Sequence, residues 1–233
     1  MVLFLLMFFV CQQLSAQDSL LPPAADHFAA GYLTAVDHHA AIFSGNREQP
    51  LGISASNHPY FKEQNFTTGR LSLGGIIYPN LQLRWDLYKD HLIVLSPKNY
   101  TIAINNATVD FFEIHGYHIF NMHPDGLAGC PPAGYYILLH STDHYVLIEK
   151  QSNYLQEDNV RNKRFNFTTT YKFFLLKNDV YYKIQNKKTL LKTLETHRKE
   201  LNQFMRANNL KYKNDAEKTV YETVKEHEKL SRQ

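Results

Sequence analysis

An alternation of apolar and polar residues between short turn-forming segments constrains this chain more than any other feature. From residue 71 to about residue 184, β-branched and aromatic runs are separated by breakers at steps of roughly 8 to 12 residues. Parallel strands would need connecting helices, and this spacing leaves no room for them. The pattern therefore predicts an α+β, mainly β, protein with an antiparallel meander sheet or barrel of about 8–10 strands.

Helical patterns flank the predicted sheet on both sides. Residues 25–43 carry apolar side chains at steps of three and four, which predicts a short N-terminal helix. Several short helical patterns follow residue 185, and Asn214 with Glu217 is typical of a helix N-cap with its reciprocal acid. We expect an N-terminal helical segment at 17–45, an antiparallel β domain at 46–185 and a lysine-rich helical segment at 186–233.

The first 16 residues are uncharged and begin with an apolar run of about ten residues, shorter than the roughly 20 that cross a bilayer as a helix. Such a run is typical of a signal peptide, and the small side chain of Ala16 predicts cleavage before Gln17. Lipidation at Cys11 stays open, although bulky residues precede it. We expect an exported protein, periplasmic or associated with the outer membrane, with no transmembrane segment in the mature chain.

The net charge is close to neutral but is unevenly distributed. The chain has 25 Lys and Arg against 22 Asp and Glu, a balance that disfavours nucleic acid as a partner. Residues 177–233 carry 14 basic and 8 acidic side chains, whereas the remainder of the chain is mildly acidic. Lysines of this segment near Tyr212 could contact an anionic lipid or polymer surface, but the sequence favours a solvated helical face as their explanation. They are Lys187, Lys188, Lys211 and Lys213.

Catalytic motifs are absent from the sequence. It has no G-x-S-x-G elbow, no H-E-x-x-H and no phosphate-binding glycine loop, so we expect no cofactor and favour a protein that is not an enzyme. The alternative is a hydrolase with a site near the predicted loop at 123–133. A second predicted loop covers 151–164.

Two groups of side chains are candidate sites. His115, His118 and His123 are candidate metal ligands if a tight turn brings them together, and the competing interpretation is a hairpin with outward polar residues. Aromatic residues of the predicted strands are a candidate ligand or partner surface, although such residues also simply suit a pleated sheet. They are Trp85, Tyr135, Tyr136, Tyr145 and Tyr182.

Several segments, taken in order, resemble a set of exported proteins of Bacteroidetes-type bacteria with no established activity. They are Leu83-Arg-Trp-Asp-Leu-Tyr-Lys-Asp-His-Leu-Ile-Val-Leu95, Val109-Asp-Phe-Phe, Gly134-Tyr-Tyr-Ile-Leu-Leu, Tyr181-Tyr-Lys-Ile and Lys188-Thr-Leu-Leu-Lys. Trp85 stands where we would expect a tyrosine. The resemblance implies a signal peptide, a short helix, a strand-rich middle and a lysine-rich helical end, and it implies no catalytic residue.

These observations together favour a non-catalytic role in the cell envelope. We expect binding or assembly, with an envelope protein or a glycan as partner and with peripheral association with a membrane.

Overall fold

The computed structural model describes residues 41–43, 45–49, 51–159 and 164–232. The predicted signal peptide at 1–16 lies outside the described residues. The same holds for the predicted N-terminal helix at 25–43, apart from a short 3-10 turn at Ala41–Phe43.

Within the described residues, eleven antiparallel strands form one open sheet, which confirms the mainly β architecture. The predicted 8–10 strands fall short of this number, in part because β1 has only two residues and so carries no readable alternation. The strands are β1 (Asn46–Arg47), β2 (Thr67–Leu73), β3 (Ile76–Asp86), β4 (His91–Leu95), β5 (Thr101–Ala103), β6 (Val109–Ile114), β7 (Tyr117–Met122), β8 (Gly134–Ser141), β9 (Val146–Asn159), β10 (Arg164–Lys177) and β11 (Val180–Ile184).

The sheet is built from two meanders that share a boundary. Its strand order is β1-β5-β4-β3-β2-β6-β7-β8-β9-β10-β11, so the chain returns from β5 to pair β6 with β2. The sheet curves strongly, since the backbone N–H of Asn153 in β9 donates to the carbonyl of Leu87 beyond β3 at 3.0 Å. This curvature encloses the first core, in which the rings of Trp85, Phe112 and Tyr135 pack edge to face.

The prediction of a loop at residues 151–164 is wrong for most of that range, which forms the outer part of two paired strands. β9 and β10 are 14 residues each and remain paired to their outer ends. In this polar extension Asn153 is buried because Thr169 donates to its side-chain oxygen at 2.7 Å and its amide donates to the Pro59 carbonyl at 2.9 Å. This part of the hairpin is stabilised by hydrogen bonds and not by the burial of apolar side chains. The hydrophobic alternation that marks the other strands is therefore missing.

Strand alternation predicts an outward side chain for Asp86, but only 2% of its surface is exposed. It ends β3 at a hairpin turn, where its carboxylate accepts the backbone N–H groups of Tyr88 at 2.8 Å and Lys89 at 2.9 Å. The turn thus satisfies a buried carboxylate that strand alternation alone would place in solvent.

Three helices follow the sheet: α1 (Lys187–Leu194), α2 (Arg198–Ala207) and α3 (Ala216–Ser231). Their apolar stripes pack on the end of the sheet formed by β8–β11 and create a second core around Leu201, Val220 and Phe173. The N-cap of α3 is Asp215, one residue after the predicted Asn214, and its side chain accepts the N–H of Lys218 at 2.9 Å. No helix of the described residues is both long and apolar enough to cross a membrane.

Candidate functional site: a basic pocket at the helical end

A pocket of about 570 Å³ lies where the start of α1 meets the connection between α2 and α3. Residues 186–188 line it from the start of α1, and residues 205–206 and 209–214 line it from the end of α2 and the connection that follows. We call this the basic pocket. Its volume falls within the range of roughly 300–1,000 Å³ that small-molecule sites occupy.

The base of the pocket results from the way α2 ends. Asn209 adopts a left-handed conformation with φ of 52°, which asparagine tolerates better than most side chains. The N–H of Asn209 donates to the carbonyl of Arg206 at 3.1 Å, and that of Leu210 donates to the carbonyl of Met205 at 2.8 Å. These two bonds define a Schellman motif, and the side chains of Met205 and Leu210 belong to the same apolar cluster.

Tyr212 fixes the chain that follows this motif. Its hydroxyl donates to the backbone carbonyl of Ile184 at 3.2 Å, and its ring packs against Phe173 with centroids 6.4 Å apart. Because Ile184 ends β11 just before α1, this contact holds the connection between α2 and α3 against the start of α1.

Five cationic side chains surround this apolar base, and no carboxylate lines the pocket among the described residues. None of the five forms an ion pair with another residue in the part of the chain that the structure describes. All are solvent-exposed except one half-buried lysine, Lys187. The five are Lys187, Lys188, Arg206, Lys211 and Lys213.

The first turn of α1 adds to the positive potential. Asn186 caps this helix by accepting the N–H of Thr189 at 3.0 Å. The N–H groups of Lys187 and Lys188 precede that residue, so they have no partner within the helix. The helix dipole places partial positive charge at the same end. The pocket therefore combines an apolar base with a strongly cationic opening, a combination suited to an anion that carries apolar groups.

A second polar cluster lies inside the molecule at Glu149 of β9. This side chain is fully buried, and its Oε1 accepts from the amide of Gln151 at 3.0 Å, whereas its Oε2 has no partner among the described residues. Burial, reinforced by the negative charge of Glu217, raises the pKa of Glu149 to about 8, and the ammonium of Lys62 acts in the opposite direction. Glu149 is therefore protonated and neutral at pH 7.

A third cluster joins the β3–β4 turn to β8 and β9. The carboxylate of Asp90 forms an ion pair with Lys150 and accepts the indole N–H of Trp85 at 3.2 Å. Lys150 also donates to the carbonyl of Tyr135 at 2.9 Å. Burial lowers the pKa of Lys150, and the adjacent Asp90 opposes this shift. Each group in the cluster is satisfied internally, so we interpret it as a structural link across the curved sheet.

The predicted aromatic surface does not form one exposed patch. The rings of Trp85 and Tyr135 belong to the first core, whereas Tyr136 packs in a small cluster on the opposite face and Tyr145 lies under the helices. Tyr182 alone of the five is exposed, at 37%. The four buried rings fill space between packed elements, as the competing structural interpretation expects.

The three candidate metal-ligating histidines do not converge. His115 lies in the β6–β7 turn and His118 near the start of β7, whereas His123 follows the other end of that strand. At about 3.3 Å per residue, His118 and His123 are roughly 16 Å apart. His118 instead bonds to Glu113 at 3.0 Å and stacks near Phe111. The described residues contain no group of three or more His, Cys, Asp or Glu side chains arranged to hold a metal.

The loop at 123–133 contacts β11. Asp125 accepts the hydroxyl of Tyr181 at 3.1 Å, and Ala128 accepts the N–H of the same tyrosine at 2.8 Å. Local N–H bonds hold the pKa of Asp125 below its usual value, so it is a weak base. Nothing in this loop specifically favours the hydrolase alternative.

Sequence reasoning identified four of the five pocket cations but not the pocket itself. It missed Arg206 and the apolar pair Met205 and Leu210. The available signal was the sequence Ala207-Asn-Asn-Leu210, in which an asparagine pair followed by an apolar residue is typical of a Schellman helix end.

These features define a class: a mainly antiparallel β protein with a cationic, helix-built pocket at its C-terminal end. Comparison with family models, with curated proteins and with solved structures finds no match. The resemblance to exported Bacteroidetes-type proteins therefore stays a prediction.

Proposed function

We propose that this protein is a non-catalytic binding protein, exported to the cell envelope, that binds an anionic partner at the basic pocket. One observation carries the proposal: five cations surround one pocket whose lining, in the described residues, includes no carboxylate. Like charges that line one pocket repel one another, and an anionic ligand relieves that repulsion.

The apparent alternative, a solvated helical face, predicts a different arrangement. On α3 and at its C-terminus, two basic side chains lie beside acidic partners: Lys229 beside Glu226 at 3.7 Å and Arg232 beside Glu228 at 2.8 Å. Other lysines of the helices, such as Lys192 and Lys199, also form no ion pair among the described residues. The pocket cations differ because all five line one pocket whose described lining includes no carboxylate. An anionic partner supplies the missing negative charge.

Binding of a soluble polyanion tests the proposal directly. Dextran sulfate should bind the mature chain, residues 17–233, with an affinity that falls steeply as salt screens the charges. A variant with four pocket lysines changed to glutamine should bind at least tenfold more weakly, since each exposed charge near a binding surface contributes on the order of 1 kcal/mol. The four substitutions are Lys187→Gln, Lys188→Gln, Lys211→Gln and Lys213→Gln.

A matched variant controls for net charge. It carries four lysine-to-glutamine substitutions on the same helices but outside the pocket: Lys192→Gln, Lys199→Gln, Lys218→Gln and Lys225→Gln. The proposal predicts nearly unchanged binding for this control. Equal weakening in both variants would show that binding follows overall charge, and absence of binding to the parent chain would refute the proposed function.

A further inference from the structure

We infer that the anionic partner is a phospholipid membrane surface, with head groups at the cations of the basic pocket and apolar lipid atoms against its base. This inference rests on the proposed function and names its ligand class. A polyanion without apolar groups uses only the charges, whereas an anionic lipid uses both parts of the pocket.

The base of the pocket is the first argument for a lipid. Most of the surface that lines this opening of about 570 Å³ is apolar. Met205 and Leu210 at its bottom are only 1% and 8% exposed, so most of that apolar surface belongs to the other lining side chains. That volume accommodates several methylene groups, and each methylene removed from water strengthens binding roughly fourfold. A hydrophilic polymer leaves this apolar surface hydrated.

The number and position of the cations are the second argument. A single phosphate or carboxylate head group carries one or two charges, and five cations exceed what one such group neutralises. Lys188, Arg206 and Lys213 are exposed and lie at the pocket opening, so they can contact neighbouring anionic groups of a surface. A membrane that contains anionic lipids presents such an array of charges.

The long side chains favour the same geometry. Lysine and arginine place aliphatic stems along an apolar surface while their charged ends reach the polar head groups. Around the basic pocket, this arrangement lets the stems line the walls above Met205 and Leu210. The protein then lies on the membrane surface, and only the end built by α1 and the α2–α3 connection contacts lipid.

Cosedimentation with vesicles tests the membrane assignment. The mature chain should bind vesicles of phosphatidylcholine containing phosphatidylglycerol, and should not bind vesicles of phosphatidylcholine alone. Substitution of Lys187 and Lys188 by glutamine should weaken binding about 30-fold, since each lysine at an anionic surface contributes about fivefold. The double variant Lys192→Gln/Lys199→Gln is the matched control and should bind as the parent does.

Alkyl phosphates separate the apolar part of the inference from the charged part. Affinity for the mature chain should rise roughly 15-fold for every two methylenes from butyl to hexyl to octyl phosphate. Binding of alkyl phosphates without vesicle binding would show a soluble amphiphile as the ligand and would overturn the membrane assignment.

Two further outcomes distinguish this inference from the proposed function. If dextran sulfate binds but neither vesicles nor longer alkyl phosphates bind more tightly than inorganic phosphate, the lipid inference fails and the proposed function stands. If no anion binds, both fail. Equal binding to both vesicle compositions would also overturn the inference, since it would show an interaction that is independent of head-group charge.

Discussion

At the residue scale, Glu149 is a buried carboxyl group whose titration should dominate the pH dependence of stability. The folded protein retains its proton up to about pH 8, whereas the unfolded chain loses it near pH 4.5. The stability associated with this neutral form is therefore complete below about pH 4.5 and declines as the pH rises toward 8. This direction is opposite to that of a carboxylate held in an ion pair.

Glu149→Gln should remove this dependence. Glutamine mimics the protonated side chain and keeps an oxygen that can accept the hydrogen bond from the Gln151 amide. The variant should therefore be as stable as the parent at pH 4.5. At pH 8 we expect it to be more stable than the parent by on the order of 3 kcal/mol, because it has no charge to desolvate. Urea unfolding at both pH values measures the difference. Glu222→Gln is the control, and a parent stability that is no lower at pH 8 would contradict the account.

Asp90 and Lys150 give a second prediction at this scale. Asp90→Asn leaves a buried ammonium without its counter-ion and should destabilise the fold by about 3 kcal/mol, which chemical denaturation at pH 7 measures. Adding Lys150→Met removes that unpaired charge and should recover at least half of the loss. If the double variant is no more stable than Asp90→Asn alone, the unpaired charge of Lys150 is not what destabilises the single variant.

The partners of Asp90 and Glu149 in the folded protein could not be predicted from the sequence. Asp90 and Lys150 are 60 positions apart, and the curvature that brings them together arises from the whole sheet. The turn that holds Asp90 can be recognised from the sequence, because a turn depends on neighbouring residues alone. Glu149 occupies a strand position where alternation indicates an inward side chain but gives no information about polar partners.

At the scale of elements, the end of α2 determines whether the basic pocket forms. Replacing Asn209 with valine should cost about 1–2 kcal/mol, since a β-branched residue resists the left-handed conformation. Asn209→Gly should be neutral or slightly stabilising because glycine adopts φ of 52° without strain. Thermal or urea unfolding compares the two, with Gln203→Val on the same helix as the control. A harmless Asn209→Val would contradict the Schellman assignment.

Elements with regular apolar alternation could be predicted well from the sequence, and polar ones could not. β3 alternates clearly because one of its faces lies in the core around Leu83 and Trp85. The outer half of the β9–β10 hairpin lacks this alternation, since side-chain and backbone hydrogen bonds hold it. Its strand character depends on partners about 16 to 94 residues away, which a local pattern does not reveal.

At the scale of the whole molecule, the structure shows where the basic residues that cause the charge asymmetry of the sequence lie. The surplus of basic residues after position 177 is concentrated in part at one pocket, on the face formed by α1 and the α2–α3 connection. The lysines could be predicted as a candidate anionic contact from their number alone. The arrangement of these lysines around Met205 and Leu210 could not be predicted, because it depends on how α2 ends and on the contact of Tyr212 with Ile184.

The central claim is that anions bind this pocket, and an NMR titration of the isotope-labelled mature chain with octyl phosphate tests it most directly. We predict saturable shifts in the backbone amides of residues 186–188 and 205–214, with little change at Glu149 or in the β6–β7 hairpin. Shifts that cluster elsewhere, or no shifts at octyl phosphate concentrations that saturate other anion-binding pockets, would contradict the account.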